Sequence, residues 1–322
     1  MEKPLKSMSG ERLCFPGLSM EAIQHPWDRE ALEALKKVKG LDFVTKKLLE
    51  LGFERVKKIQ LLANSLKVSE RQCPSLYKVY RECCDILDVE PPEFYIECNP
   101  FPNAYTFGYT QAFVVITSGL LEVLDEDELH FVLGHELGHF KCGHILYMMM
   151  AQNIRLILSW LGQITLGLGR LIGAGLEYAL LAWSRKAEFS ADRAGLLAAQ
   201  NDEAAIRALM KLAAPVEKVW REVSVEEILR QAEEFESLTD EDLLSKFYKF
   251  FYTIEMTHPW LIIRTREAKA WIESDEYKDI LKRGVPLNEA RKRRRQVSVC
   301  PNCGSPVGPE DKFCSNCGYR LR

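Results

Sequence analysis

Four of the six histidines in this chain lie within the segment HFVLGHELGHFKCGH, at residues 130–144. Successive residues of a helix are about 100° apart, so residues four apart lie on one face. His135 and His139 have this spacing and would converge on a helix. Glu136 would then lie on the flank of that face, where it can reach a water molecule on a bound metal without coordinating the metal. This HExxH pattern indicates two imidazole ligands for zinc and a carboxylate general base.

The residues around the motif predict a helix. Asp125 is a candidate N-cap, and Glu128 three residues later can complete a capping box. Gly134 and Gly138 each cost a helix about 1 kcal/mol relative to alanine. Their small size would allow a strand or a substrate to approach closely. The apolar residues at helical spacing are Leu129, Val132, Leu133, Leu137 and Phe140.

The two outer histidines of the segment are not expected to be ligands. His130 and His144 each lie five residues outside the central pair, about 140° further round a helix, and would point away from it. The motif alone also leaves a second interpretation open, in which a buried helix uses its histidines only for hydrogen bonds. The rest of the chain must separate these interpretations.

The overall composition is that of a soluble globular protein of one or two domains. The chain has 322 residues, 47% hydrophobic and 28% charged, with a net charge of -3. This charge gives no global attraction to nucleic acid or to anionic lipid. The first residues carry no apolar stretch typical of a signal peptide. Four of the ten cysteines form a metal-binding pattern and the others are scattered, which favours a reducing compartment, the cytoplasm.

The chain reads mainly as helices, with one short β-rich region. Residues 27–90 show helical periodicity, and EFYIECNPFPNAYTFGYTQAFVVITSGLL then predicts two or three strands just before the HExxH helix. The apolar segment 145–183 is interrupted by Arg155, Arg170 and Glu177. It contains no run of the roughly 18 to 20 apolar residues that a membrane span needs. We expect packed core helices there, with membrane association as the alternative.

A third zinc ligand must come from elsewhere, because a catalytic zinc takes three protein ligands and keeps one open position. The extended motif with a third histidine six residues after the second fails, since Ile145 occupies that position. The segment WSRKAEFSADRAGLL offers a glutamate. Glu188 and Asp192 are four apart, so Glu188 can bind zinc while Asp192 orients a ligating histidine. The alternative is an ordinary charged helix face, with Arg185 and Arg193 as partners.

Four motifs in this order resemble the HtpX and CAAX-prenyl-protease family of zinc metallopeptidases, metallopeptidase family forty-eight. They are NPFPNAYTFG with VVITSGLL, HELGH, EFSAD and THPWLIIR, and they cover roughly residues 90 to 270. The resemblance implies a gluzincin fold, α+β and predominantly helical, with a small sheet beside the HExxH helix. In it His135, His139 and Glu188 bind zinc, Glu136 is the base, and Asp192 lies behind a ligand.

The same resemblance suggests where substrate binds. It implies that Asn103 lies in the cleft and that His258 and Arg264 lie near the zinc, where either is a candidate to stabilise the tetrahedral oxyanion. Without it, THPW reads as a turn with a structural histidine. We expect the substrate to add as a β-strand along the edge formed by AFVVITS. The substrate-binding residues predicted on this basis are Asn103, Ala104, Tyr105, Val114 and Val115.

The C-terminal segment CPNCGSPVGPEDKFCSNCG contains two C-x-x-C knuckles. Cys300, Cys303, Cys314 and Cys317 fit a closed tetrahedral zinc site, and so short a segment needs the metal in order to fold. A redox function would not explain two copies of the motif. Such a zinc ribbon can bind a protein partner. The nearby RKRRR leaves a nucleic-acid contact open, although solvated linker charge is the simpler interpretation.

The sequence thus predicts four regions and two zinc ions, one catalytic and one structural. The regions are an N-terminal helical part (1–90), a metallopeptidase domain (91–283), an unfolded basic linker (284–299) and a zinc ribbon (300–322). We expect a zinc endopeptidase that acts on extended or unfolded polypeptides. The alternative is an inactive or latent scaffold that recruits a partner through its ribbon.

Overall fold

The computed structural model describes residues 11–38, 40–164, 168–214, 216–240, 261–296, 298–307 and 312–320. Helices predominate, as expected, and the few strands are short. The N-terminal part begins with strand β1 and five helices and contains a second strand. Their bounds are β1 Leu13–Cys14, α1 Met20–Ile23, α2 Pro26–Lys36, α3 Leu41–Glu50, α4 Phe53–Asn64, β2 Ser65–Val68 and α5 Pro74–Leu87.

A four-stranded sheet follows in the chain, with β3 at Glu93–Glu97, β4 at Ala104–Phe107 and β5 at Phe113–Thr117. The strand order is β2-β3-β5-β4, in which β3 and β5 are parallel and the other two pairs are antiparallel. Both faces of β5 are covered by core side chains, which explains its uninterrupted apolar sequence. The strand predicted as the substrate-binding edge is therefore an inner strand.

This arrangement corrects two of the predicted substrate-binding residues. Val114 and Val115 are fully buried, one in the core on each face of β5, because β3 and β4 pair with both sides of that strand. Neither residue can contact a substrate. The sheet ends instead at β2 and β4, and β4 carries two other predicted residues, Ala104 and Tyr105.

The HExxH segment lies in a helix, as predicted. After α6 (Ser118–Val123), α7 spans Glu126–Lys141, and its capping box is formed by Asp125 and Glu128. The long helix α9, Leu168–Ala199, packs along α7. A Cβ atom on Gly134 would lie 2.3 Å from Cβ of Ala198, which shows that this glycine serves helix packing. The close neighbour is a helix, and not the strand or substrate that we expected.

The apolar segment 145–183 contributes α8, Ile145–Ile164, and the first half of α9. The buried side chains of α8 pack with those of α3 and β5 in a core that lies on one side of the sheet. A second core joins α5, α7, α9 and the other side of the sheet. Of the helices in the described part of the chain, none has both the length and the apolar character needed to cross a membrane.

The segment expected to be an unfolded linker is largely structured. Strand β6, Val285–Pro286, pairs with β1, and a helix follows in the basic run. Arg291 of this helix binds Asp85 of α5 with Nε 2.8 Å from Oδ2. The linker prediction is wrong here because the run packs against the N-terminal part. The remaining bounds are α10 Asp202–Ala213, α11 Glu217–Trp220, α12 Val225–Asp240, α13 Leu261–Glu273, α14 Asp275–Lys282, α15 Leu287–Gln296, β7 Ser298–Val299 and β8 Pro306–Val307.

Candidate metal centre

Three predicted ligands converge between α7 and α9. Nε2 of His135 lies 3.2 Å from Nε2 of His139. Glu188 of α9 brings Oε1 to 3.3 Å from Nε2 of His139, and Oε2 to 3.5 Å from Nε2 of His135. Zinc bonds of 2.0 to 2.2 Å in a tetrahedron give ligand separations of about 3.3 to 3.5 Å. The two imidazoles and the carboxylate therefore fit a zinc ion.

Burial and hydrogen bonding act in opposite directions on the two imidazoles. Burial lowers the pKa of His139 to about 4, so this ring is neutral at physiological pH, as a metal ligand must be. Burial acts in the same direction on His135, but hydrogen bonds to Asp192 and Glu188 overcome it and raise its pKa to about 9. A cation at the site would take the place of the proton on Nε2 of His135, which faces Glu188.

Asp192 supports the first histidine from behind. Its Oδ1 lies 2.9 Å from Nδ1 of His135, which turns Nε2 of that ring toward Glu188. Arg264 of α13 holds Asp192 in a bidentate pair, with Nε 2.8 Å from Oδ2 and Nη2 2.6 Å from Oδ1. Burial alone would raise the pKa of Asp192, but Arg264 keeps it below the ordinary value.

The position of Arg264 revises its expected role. Its Nη1 lies 3.3 Å from Oε2 of Glu188, so the guanidinium bridges Asp192 and Glu188 and is almost fully buried. Because the carboxylates of Asp192 and Glu188 already engage the guanidinium, Arg264 supports the candidate ligands and is poorly placed to stabilise an oxyanion. His258, the other candidate for that task, lies outside the described residues.

The second histidine is supported by residues that the sequence did not indicate. Nδ1 of His139 lies 3.1 Å from Nδ1 of His144, whose Nε2 lies 3.0 Å from Oδ2 of Asp28. The prediction that His144 points away is wrong because α7 ends at Lys141. The chain then turns at Gly143, with φ 68°, and no longer follows the helix.

Asp28, the carboxylate behind His144, comes from the N-terminal part of the chain. It lies inside α2, whose cap is His25: Nδ1 of that ring accepts a hydrogen bond from the backbone N–H of Trp27. The Asp28 side chain instead turns inward and is fully buried. No local pattern in the sequence signals this contact, because tertiary packing, in which α2 and α7 both lie against α9, brings α2 and the turn after α7 together.

Glu136, the predicted base, is held by the sheet. The hydroxyl of Thr106 in β4 donates to Oε2 of Glu136 at 2.7 Å and also lies 3.0 Å from its carbonyl oxygen. Thr106 was not predicted as a site residue. The contact fixes the edge strand β4 beside the HExxH helix, so the carboxylate and the strand share one cleft.

A cavity of about 500 Å³ opens over these residues. Its lining includes His135, Glu136 and His139, together with Asn103, Ala104 and Tyr105. Helices α4 and α8, which were not predicted to contribute to the site, supply further lining residues. These are Phe53, Val56, Lys57, Gln60, Met148, Gln152 and Asn153.

The four C-terminal cysteines form a second candidate metal site. Sγ of Cys300 lies 3.6 Å from Sγ of Cys317, and Sγ of Cys303 lies 3.6 Å from Sγ of Cys314. Zinc–sulfur bonds of 2.3 Å give separations of about 3.8 Å in a tetrahedron. Each knuckle ends in a glycine with positive φ, which lets the backbone turn around the metal position. All ten cysteines are free thiols, so none of the four is engaged in a disulfide.

Comparisons with known proteins identify two regions of the chain. Residues 70–272 match peptidase family M48, and residues 299–321 match a zinc-ribbon domain. The chain is 34% identical over 274 residues to the plastoglobule-localized metallopeptidase 48, chloroplastic, of Arabidopsis thaliana, covering 84% of this chain and 78% of that protein.

Bacterial relatives match a shorter part. A protease HtpX homolog of Bifidobacterium longum is 33% identical over 171 residues, covering 45% of this chain and 56% of the relative. One from Pelotomaculum thermopropionicum is 31% identical over 188 residues, covering 51% and 67%. No solved structure matches the chain.

Proposed function

Because the chain belongs to peptidase family M48 and is a zinc metallopeptidase, we propose that it is an endopeptidase that cleaves extended or unfolded polypeptides. The observation that carries the proposal is the shared cleft. His135, His139, the Glu136 carboxylate and the edge strand β4 all border one cavity, so a polypeptide lying along β4 passes the two candidate histidine ligands.

Zinc bound by His135, His139 and Glu188 would supply a Lewis acid that polarises the scissile carbonyl and acidifies water. Glu136 lies beside the ligands without being one of them, and we assign it as the general base. It removes the proton from the attacking water and hands it to the leaving amine. The Thr106 hydroxyl, which donates to Oε2, restricts the carboxylate to one orientation. His258 remains our candidate for stabilising the oxyanion.

The substrate class follows from the position of β4. This strand lies at the end of the sheet, where an extended peptide can add to it through backbone hydrogen bonds. Such binding requires that the peptide is not already paired in a fold of its own. Phe53, Val56 and Met148, which line the same cavity, would contact apolar side chains of that peptide.

We also propose two zinc ions per chain, the second held by the four cysteines, and a protein partner for the ribbon. The proposed domains keep residues 1–90 and 91–283, with residues 284–296 attached to them and the ribbon at 300–322.

Cytoplasmic location is proposed from the cysteine pattern, with membrane association through residues 145–183 as the alternative. One relative carries a plastoglobule localisation in its name.

The test is incubation of the zinc-loaded, full-length chain with a reduced and unfolded protein and, separately, with the same protein folded. We expect internal peptide bonds of the unfolded form to be cleaved, and the fragments to be identified by mass spectrometry. Release of single terminal residues would contradict endopeptidase activity. Equal cleavage of the folded form would contradict strand addition. Metal analysis of the same sample should give two zinc ions per chain.

A further inference from the structure

Asp28 is a fully buried carboxylate surrounded by hydrogen-bond donors. Its Oδ1 accepts from Nε1 of Trp183 at 2.9 Å. Its Oδ2 lies 3.0 Å from Nε2 of His144 and accepts from the hydroxyl of Ser190 at 2.7 Å and from Nε2 of Gln24 at 3.3 Å. A carboxylate is an acceptor only, so it dictates that the ring nitrogen facing it carries a proton.

The proton on Nε2 of His144 also determines where His139 carries its proton. When Nε2 of His144 holds the proton, Nδ1 of the neutral ring holds a lone pair, and this lone pair faces Nδ1 of His139 at 3.1 Å. Nδ1 of His139 must then carry its own proton and donate it. The lone pair of His139 is left on Nε2, the atom that lies 3.3 Å from Glu188 and 3.2 Å from Nε2 of His135.

We propose that Asp28 and His144 are positioning residues that fix the tautomer and orientation of His139 as a metal ligand. The proposal rests on the proposed function, in which His139 binds zinc through Nε2. It makes the two histidine ligands alike: Asp192 supports His135 directly, and Asp28 supports His139 through one intervening ring.

Asp28 lies outside the part of the chain that matches the peptidase family, residues 70–272. The proposal therefore assigns α2 a part in the metal centre and not only in packing. Ser190 of α9 also connects α9 to the N-terminal part, because its hydroxyl donates to Asp28 and accepts from the backbone N–H of His25.

The chain of hydrogen bonds from Asp28 through His144 to His139 is called the relay below. An isosteric change at Asp28 should disrupt it. In Asp28→Asn the side chain has one oxygen, whereas the Trp183 indole and Nε2 of His144 both need an acceptor. If the amide nitrogen faces His144, the proton of that ring moves to Nδ1, and His139 is driven toward the tautomer that cannot bind metal through Nε2. Loss of such a support typically weakens metal binding 10- to 100-fold.

The first measurement needs no variant. Two-bond proton–nitrogen NMR spectra of the zinc-loaded wild-type chain report the tautomer of each of its six histidines. We expect His144 to carry a proton on Nε2 and a lone pair on Nδ1, and His139 to carry its proton on Nδ1. A proton on Nδ1 of His144 would overturn the proposal even if every variant failed to fold.

The second measurement is chelator competition on the full-length chain, in which the four-cysteine site serves as an internal reference. We expect Asp28→Asn to raise the zinc dissociation constant of the histidine site 10- to 100-fold and to shift the visible absorption of cobalt bound there. The cysteine site should keep its affinity. Glu267→Gln is the matched control, because Glu267 pairs with His25 beside α2 at 3.4 Å without contacting a candidate ligand.

His139→Ala separates this proposal from the proposed function. If His139→Ala leaves zinc affinity unchanged, the ligand assignment itself is wrong. If His139→Ala abolishes binding while folded Asp28→Asn, with the His144 proton on Nδ1 in the same NMR measurement, binds zinc as tightly as the wild type, the ligands stand and the relay is wrong. If Glu267→Gln weakens binding as much as Asp28→Asn, the effect comes from docking of α2, and the positioning role is rejected.

Discussion

The two candidate metal sites differ in what surrounds them. The histidine site is built on α7 and α9, is almost fully buried, and is backed by Asp192, Arg264 and His144. The ribbon has two short strands, β7 and β8, and two of its four cysteines are exposed. In the first case the fold prepares a site for the metal, whereas in the second the metal must create the fold.

The largest effect expected from this difference concerns the ribbon. Cys314 is buried among the four thiols, and Cys314→Ala should abolish the ordered structure of residues 298–307 and 312–320, because zinc binding supplies about 10 to 16 kcal/mol to such a module. Amide NMR signals of the ribbon should collapse to random-coil positions while those of α7 and α9 stay in place. Metal analysis should fall from two zinc ions to one.

The control for that change is Cys98→Ala, which removes an exposed cysteine outside both sites. It should leave the spectrum and the metal content unchanged. A ribbon that keeps its dispersed signals in Cys314→Ala would show that the module folds without its metal, and the contrast between the two sites would disappear.

The next largest effect is expected on catalysis at the histidine site. Glu136→Gln keeps the shape of the side chain and its contact with Thr106 but removes its basicity, so kcat/KM should fall by about 10²- to 10⁴-fold. Zinc content and thermal stability should not change, because Glu136 is not one of the three candidate ligands. Glu122→Gln, an exposed change on α6, is the control. Unchanged turnover in Glu136→Gln would mean that the base is misassigned.

What the sequence predicted of the two sites reflects the range of the interactions. His135, His139 and the cysteine knuckles could be recognised because their spacing on one short segment already sets the geometry. Asp28 and His144 could not, because their contact depends on the turn after α7 and on how α2 packs against α9. These ligands follow local patterns, whereas the support of His139 by His144 and Asp28 depends on tertiary structure.

Dependence on tertiary structure also explains why the predictions for the substrate-binding strand and for the linker were wrong. The apolar run of β5 indicates a buried strand, but its sequence does not say that β3 and β4 flank it and bury Val114 and Val115. The basic composition of residues 284–299 indicates solvent exposure. It gives no sign that Val285 pairs with Cys14 across nearly the whole chain. Pairing between distant segments is decided by the fold and not by local composition.

A smaller effect should come from the packing that prepares the histidine site. A Cβ atom on Gly138 would lie 2.6 Å from Cβ of Ala194 and 3.0 Å from Cα of Ala191, so Gly138→Ala should push α7 away from α9. Overpacking of this kind costs about 1 to 3 kcal/mol, against about 1 kcal/mol gained in helix propensity. We expect a net loss of stability in chemical unfolding, together with weaker zinc binding at the histidine site only.

The matched change is Gly175→Ala in α9, where an added Cβ meets nothing within 4 Å. It should stabilise the protein by up to about 1 kcal/mol through helix propensity alone. If the two glycine variants behaved alike, close helix packing would not be what prepares the site, and its rigidity would need another source.

The smallest effect is expected when the ribbon is removed altogether. Helix α15 is anchored to α5 through Arg291, so deletion of residues 298–322 should leave the catalytic part intact. Catalysis depends on groups held within a fraction of an ångström around the reacting carbonyl, and an accessory module adds binding without adding that orientation. We expect kcat/KM for a short peptide to change by less than about twofold, while kcat/KM for an unfolded protein falls further because contacts with the ribbon are lost. Equal and large losses on both substrates would mean that the ribbon docks as part of the catalytic fold, and the two metal sites would then be one cooperative unit.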